Sequence, residues 1–143
     1  MLFIKKQVLS HIRNAVTSRD IEQGFILGSQ TRLDQLDCCK EIPAVQASLN
    51  YYNPNSAVAD AAVQHWANNA VCFTGFLHSH VNDKYDLSDA DIDFAERLYK
   101  AYCLPVLWFG LAVINENKVS IVFYSVQDDN GTIQIMPVPY QVI

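Results

Sequence analysis

The segment Val71–Leu77 reads Val-Cys-Phe-Thr-Gly-Phe-Leu, apolar at almost every position. A strand with one wet face alternates apolar and polar residues. A run without alternation must be covered on both faces. This segment therefore predicts a central strand with material packed above and below it. Val106 to Ile114 is a second long apolar strand. Layers for such a sheet are available as helices. Val8, Ile12, Ala15 and Val16 recur at helical spacing and predict a helix over residues 5–17, ended by the polar tetrad Thr17-Ser18-Arg19-Asp20. Ser56 as N-cap predicts a helix over 57–69, with Val58, Ala61, Ala62, His65 and Trp66 on its apolar side. Residues 88–102 form a third, with Ile92, Ala95, Leu98, Tyr99 and Tyr102 on one side.

The remaining elements are shorter. Gly24–Gly28 is an apolar run bounded by glycines, read as a strand, and residues 28–31 as a turn. A second strand falls within 36–47, and residues 50–55 and 81–87 read as loops. Asn115-Glu116-Asn117 is a hairpin turn with a return strand over Val119–Val126. The turn Asp128-Asp129-Asn130-Gly131 leads into an edge strand over Thr132–Met136, and the prolines at 137 and 139 suit a tail. The expected fold class is α/β, a mixed curved sheet flanked by helices. One helix precedes the sheet, and an antiparallel meander closes it. With 143 residues and no internal repeat, linker or low-complexity segment, residues 1–143 read as one domain.

Composition narrows the function. A domain of this size buries roughly 68–70% of its unfolded surface, so it needs no metal to build a core. A metal would serve chemistry. The net charge is -5 and no run of basic residues exceeds Lys5-Lys6, so no nucleic-acid stripe is visible. Cys38, Cys39, Cys72 and Cys103 form no CxxC pair and read as small buried hydrophobes in a reducing compartment. The N-terminus lacks a signal-peptide pattern and no run reaches 18 apolar residues, which makes the cytoplasm the expected location.

Chemistry concentrates at one place. His78 and His80 stand two apart at a strand end, so period two puts both rings on one face while Ser79 faces the other way. Neutral imidazoles are good zinc ligands, and a catalytic zinc takes three protein ligands plus an open position. Asp83, Asp86, Asp89, Asp91 and Asp93 all follow, and spacing does not choose among them. Ser88 and Asp91 share the face of a first helical turn, from which a carboxylate could point back to the histidines. Each piece has a bland reading. An HxH at a strand end is common, and Ser88 with Asp91 looks like a helix cap. His11 and His65 have no matching partner and read as structural.

Together the pieces resemble the JAMM (JAB1/MPN/Mov34) metalloprotease family, across most of the chain. The family pattern is His-x-His, seven residues, then Ser-x-x-Asp, with a glutamate before an early Gly-rich strand. Here GFLHSH (75–80) is followed by VNDKYDL and SDAD (88–91), and the early segment is IEQGFILGS (21–29). The resemblance implies an MPN/JAMM-like, cytidine-deaminase-like architecture. It implies Zn2+ held by His78, His80 and Asp91, with Glu22 as general base and Ser88 as donor to the oxyanion. Two departures stand out. Val81 replaces the proline usual after the second histidine. Glu22 lies two residues before Gly24, where many members place the glutamate three before, and its nearest rival is Asp20.

The implied activity is hydrolysis of an isopeptide or peptide bond at the C-terminus of a ubiquitin or ubiquitin-like protein. Such a tail is extended and suits addition to a sheet edge. The loops at 50–55 and 81–87 leave little room for the insertions that give some family members their linkage choice, which suggests either a compact stand-alone enzyme or one completed by a partner. Tyr51, Tyr52 and Tyr85 are candidates to border a groove. A non-catalytic MPN scaffold and a zinc hydrolase of another small amide or a phosphoester are the rival expectations.

Overall fold

A computed structural model describes residues 1–16, 21–48, 51–80 and 85–143. The elements in chain order are β1 (Leu2–Ile4), α1 (Lys6–Ala15), β2 (Gly24–Ser29), β3 (Gln35–Leu36), β4 (Cys38–Ile42), β5 (Ala44–Ser48) and β6 (Tyr51–Pro54). Then come α2 (Ser56–Asn68), β7 (Cys72–His80), α3 (Asp89–Ala101), β8 (Leu107–Asn115), β9 (Lys118–Asp129), β10 (Thr132–Val138) and β11 (Tyr140–Val142). The chain is thus mixed α/β, with three helices among the described residues. The main sheet has six strands in the order β10-β9-β8-β7-β2-β4. Only β7 and β8 run parallel in it, joined through α3; the other pairs are antiparallel.

The apolar runs sit where their lack of alternation requires. Every residue from Phe73 to His80 and from Leu107 to Ile114 is buried. One face of the sheet, carrying Phe25, Leu27, Leu77, Ala112 and Phe123, packs with Val8, Leu9, Ile12 and Val16 from α1 and its end. The other, carrying Ile26, Phe73, Phe76, Phe109 and Val126, packs with Ala62 of α2 and with Phe94, Ala95 and Leu98 of α3. Side chains in a strand alternate between faces, so Phe76, His78 and His80 share the α2/α3 side, and Leu77 and Ser79 share the α1 side.

Several elements differ from expectation. Residues 2–4 and 140–142, read as part of no strand, pair in parallel in a second sheet, β11-β1-β3. Three-residue strands are too short to show a period, although Leu2 and Ile4 are fully buried. Pro137 lies inside β10 opposite Tyr124, which an edge strand tolerates because one side of its backbone needs no partner. The single strand expected within 36–47 is three strands, interrupted at Asp37 and Pro43. Tyr51–Pro54, expected as loop, pairs with β5 in a two-stranded ribbon. The N-cap of α2 is Asn55, whose side chain accepts from the Val58 N–H, and Ser56 is the first helical residue. Ala61 and His65 are exposed, so α2 meets the sheet through Ala59, Ala62, Val63 and Trp66 instead. Thr17–Asp20, Val81, Asp83 and the side chains of Tyr51 and Tyr52 lie outside the described residues.

Close strand contacts leave no room at Gly75. A Cβ there would lie 2.6 Å from the Trp108 carbonyl oxygen and 3.2 Å from Leu27 Cδ1. The carbonyl belongs to the neighbouring strand and cannot step aside. Gly75→Ala is expected to cost about 1–3 kcal/mol by overpacking, read as a lower urea midpoint at unchanged m-value. A midpoint equal to wild type would contradict this packing.

Candidate metal centre

Three elements deliver the site. β7 places His78 and His80 on the α2/α3 face. β2 begins at Gly24, which pairs with His78, and the chain just before it carries Glu22 on the same face as Gly24 and Ile26. The start of α3 supplies the third approach. Ser88 is its N-cap in a capping box: Ser88 Oγ accepts from the Asp91 N–H at 3.1 Å, and Asp91 Oδ2 accepts from the Ser88 N–H at 2.8 Å. That reciprocal pair fixes the Asp91 carboxylate at the helix start, aimed back at the sheet.

Four titratable side chains meet there, and all are buried: Glu22 is 5%, His78 4%, His80 4% and Asp91 8% exposed. His78 Nε2 lies 3.0 Å from Asp91 Oδ1, and His80 Nε2 lies 3.0 Å from Asp91 Oδ2. Glu22 is farther off, with Oε2 at 4.0 Å from His78 Nδ1 and Oε1 at 3.8 Å from His80 Nε2. The two imidazoles stand edge to face with centroids 4.8 Å apart, and the Phe109 ring lies 5.5 Å from that of His78. Glu22, His78 and His80 each offer a ligand atom within 4.8 Å of the others, so the cluster could hold a metal ion.

The electrostatics favour that use. Burial pushes the His78 pKa below its ordinary value and outweighs the raising effect of Asp91. A neutral ring is the form that ligates a metal. Burial acts on Asp91 in the opposite sense, toward the uncharged acid. The two facing imidazoles and the Ser88 N–H outweigh it and hold the carboxyl well below the usual range. Among the described residues, neither ring nitrogen of His78 has an aligned hydrogen-bond partner, despite the short approach of Nε2 to Asp91. A buried polar atom without a partner costs about 1–3 kcal/mol. A cation bound at one of these nitrogens removes that cost, so the residues fit a metal.

The cluster opens into a cleft of about 500 Å³. Glu22, His78 and Asp91 form its floor, Asn53, Pro54 and Ser56 one wall, and Asp93, Phe94 and Arg97 the other. Arg97 pairs with Asp93 at 3.1 Å across one helical turn.

Of the residues singled out in the sequence, the structure brings together Glu22, His78, His80 and Asp91. Ser88 is exposed and meets Asp91 through the cap. Asp86, Asp89 and Asp93 are exposed, as are His11 and His65, and Asp20 lies outside the described residues. Tyr85 is 44% exposed, and its hydroxyl accepts from Asn115 Nδ2 at 3.2 Å. Sequence reasoning missed the cleft walls and the Phe109 backing. Phe109 sits in an unbroken apolar run, where nothing distinguishes it from ordinary core. Arg97 and Asp93 have the spacing of any surface pair.

No family model and no curated protein matches the sequence. The fold is similar to the solution structure of protein DSY2949 from Desulfitobacterium hafniense, with a TM-score of 0.74 over 100% of this chain and 93% of that one. The two sequences are 15% identical, so the likeness concerns the fold alone. No described helix is long and apolar enough to cross a membrane.

The lowered His78 pKa fixes a sign. Below the ordinary imidazole value of about 6.5, an unfolded chain protonates this ring while the folded one keeps it neutral. The unfolded state then binds more protons, and stability falls as pH drops through that window. Asp91, depressed in the folded state, loses its contribution only at more acid pH. The metal-free protein is expected to show a lower urea midpoint at pH 5.5 than at pH 7.5, and His78→Gln a shallower drop. An equal drop in both proteins would contradict the assignment to His78.

Proposed function

We propose that the chain is a zinc-dependent hydrolase of the JAMM type, cutting an isopeptide or peptide bond at the C-terminus of a ubiquitin-like protein. One observation carries the reading: two imidazoles and a carboxylate converge within 3.0 Å contacts, beside a second carboxylate, and His78, Asp91 and Glu22 of this cluster line a cleft. Ligands of a tetrahedral zinc, with bonds of about 2.0–2.2 Å, stand roughly 3.3 Å apart. The Asp91–imidazole separations match that spacing better than the 3.8 and 4.0 Å of Glu22. This spacing favours His78, His80 and Asp91 as the ligands, with Glu22 left to handle protons.

Zinc held by His78, His80 and Asp91 would lower the pKa of water toward about 7 and polarise an amide carbonyl. Glu22 accepts the proton of the attacking water and returns it to the leaving amine. The Ser88 hydroxyl accepts from the Asp91 N–H, which leaves its own proton free to donate toward the developing oxyanion. Asp91 stays ionised and the His78 imidazole neutral at working pH.

The substrate class is supported by the cleft wall. Asn53 and Pro54 belong to β6, and among the described residues each strand of the β5-β6 ribbon is paired on one side only. An extended C-terminal tail laid beside such an edge gains main-chain hydrogen bonds. The setting is cytoplasmic in this reading, where conjugated ubiquitin-like proteins are encountered.

The test is metal content and turnover on a panel of ubiquitin-like fusions, with and without chelator. Wild type is expected to carry one zinc per chain and to lose cleavage on chelation. His78→Ala and Asp91→Ala lose zinc and cleavage together. Glu22→Gln keeps zinc and loses about 10²–10⁴-fold in kcat, and Ser88→Ala about 10²–10³-fold. Zinc in wild type with no cleavage of any fusion would favour a non-catalytic scaffold, and full activity of Glu22→Gln would remove the proton role.

A further inference from the structure

Ser79 stands between the two imidazoles, on the opposite face of β7, and is 0% exposed. Its backbone N–H donates to the Gln23 carbonyl at 2.8 Å, and its hydroxyl oxygen accepts from the Gln23 N–H at 2.8 Å. In a regular antiparallel rung the second bond would end on a backbone carbonyl. Here the serine side chain takes that place. Regular β2 pairing ends at Gly24 opposite His78, so the Ser79–Gln23 rung is made one residue beyond the strand. Glu22 is the next residue along.

Gln23 is tied on its other side too. Its Nε2 donates to the Ala15 carbonyl at 2.8 Å and to Glu41 Oε2 at 3.2 Å. These bonds leave the Gln23 side chain on the α1 face, and alternation then sends Glu22 to the metal face. We propose that Ser79 is a positioning residue for Glu22: its hydroxyl holds the short arm that sets the carboxylate against the two imidazoles. This rests on the reading of Glu22 as the proton carrier. The serine makes no contact with substrate or metal. It acts from the far side of the strand, by fixing a backbone rung.

Removing the hydroxyl deletes the Gln23 N–H to Ser79 Oγ bond at this rung, and the arm shifts. His78 and His80 stay in place, because β7 remains paired with β8 through both residues. The effect is therefore selective for Glu22.

The experiment compares wild type, Ser79→Ala and Ser79→Thr in the zinc-loaded full chain. The crystal structure of Ser79→Ala is expected to show the Glu22 carboxylate displaced while His78, His80 and Asp91 superpose on wild type. Zinc affinity, measured by chelator competition, stays within threefold of wild type, as roughly expected of a residue that orients no ligand. The kcat for a ubiquitin-like fusion falls by about 10²-fold, the scale of a 1 Å misplacement, with KM unchanged. Ser79→Thr, which keeps the hydroxyl, restores kcat. An unmoved Glu22 carboxylate in Ser79→Ala overturns the proposal. So does a zinc affinity lowered by about 10–100-fold, because Ser79 would then act through the imidazoles. A wild-type chain that binds no zinc counts against the proposed function, while the position of Glu22 still decides this inference.

Discussion

The Asp91 carboxylate faces two imidazoles, one from each oxygen, and through Oδ2 it also accepts the Ser88 N–H at the start of α3. The candidate metal centre and the helix terminus are thus one construction. A negative charge at that position is stabilised by the helix dipole as well as by the cap. The helix is in turn placed by apolar packing: Phe94 meets Phe76 edge to face at 5.0 Å, and lies 6.2 Å from Phe109. Phe109 lies beside His78 on the same face. Displacing α3 from the sheet would move the carboxylate from both rings at once, so core packing and ligand geometry are coupled.

The cluster is costly for the fold that carries it. Glu22 and Asp91 are two buried acids near two buried imidazoles, in a site backed by aromatic rings. Burying carboxylates is strongly unfavourable unless they are partnered, and Asp91 is partnered by both imidazoles and the Ser88 N–H. The cluster could hold a divalent cation, which would set further positive charge against these carboxylates. In that view the polar groups are kept for what they bind, and the two apolar layers on either side of the sheet supply the stability that tolerates them.

Local periodicity made much of this legible. The unalternating runs at 71–77 and 106–114 are central strands because a residue pattern of period one admits no wet face. The shared face of His78 and His80, and the opposite face of Ser79, follow from strand geometry within one segment. The capping box of Ser88 and Asp91 is equally local. The approach of Asp91 to the imidazoles is a different kind of fact. It depends on a loop and a helix packing back over the sheet, and spacing alone left five aspartates open. The edge sheet of β1, β3 and β11 escaped because its strands have two or three residues and pair between distant parts of the chain. The β5-β6 ribbon escaped because tyrosine, asparagine and proline in residues 51–54 carry turn signals as strong as their strand signals. The cleft walls come from elements whose sequence is ordinary for surface and core.

In the proposed site one zinc ion sits among nitrogen and oxygen ligands from residues 78, 80 and 91. Zinc X-ray absorption spectroscopy on the metal-loaded protein tests it most directly, because the chain also offers four free cysteines. The expected spectrum has a first shell of nitrogen and oxygen at about 2.0–2.2 Å, with the outer-shell pattern of two imidazoles and no sulfur. A sulfur shell at about 2.3 Å, or a spectrum without two imidazoles, would place the metal away from His78, His80 and Asp91.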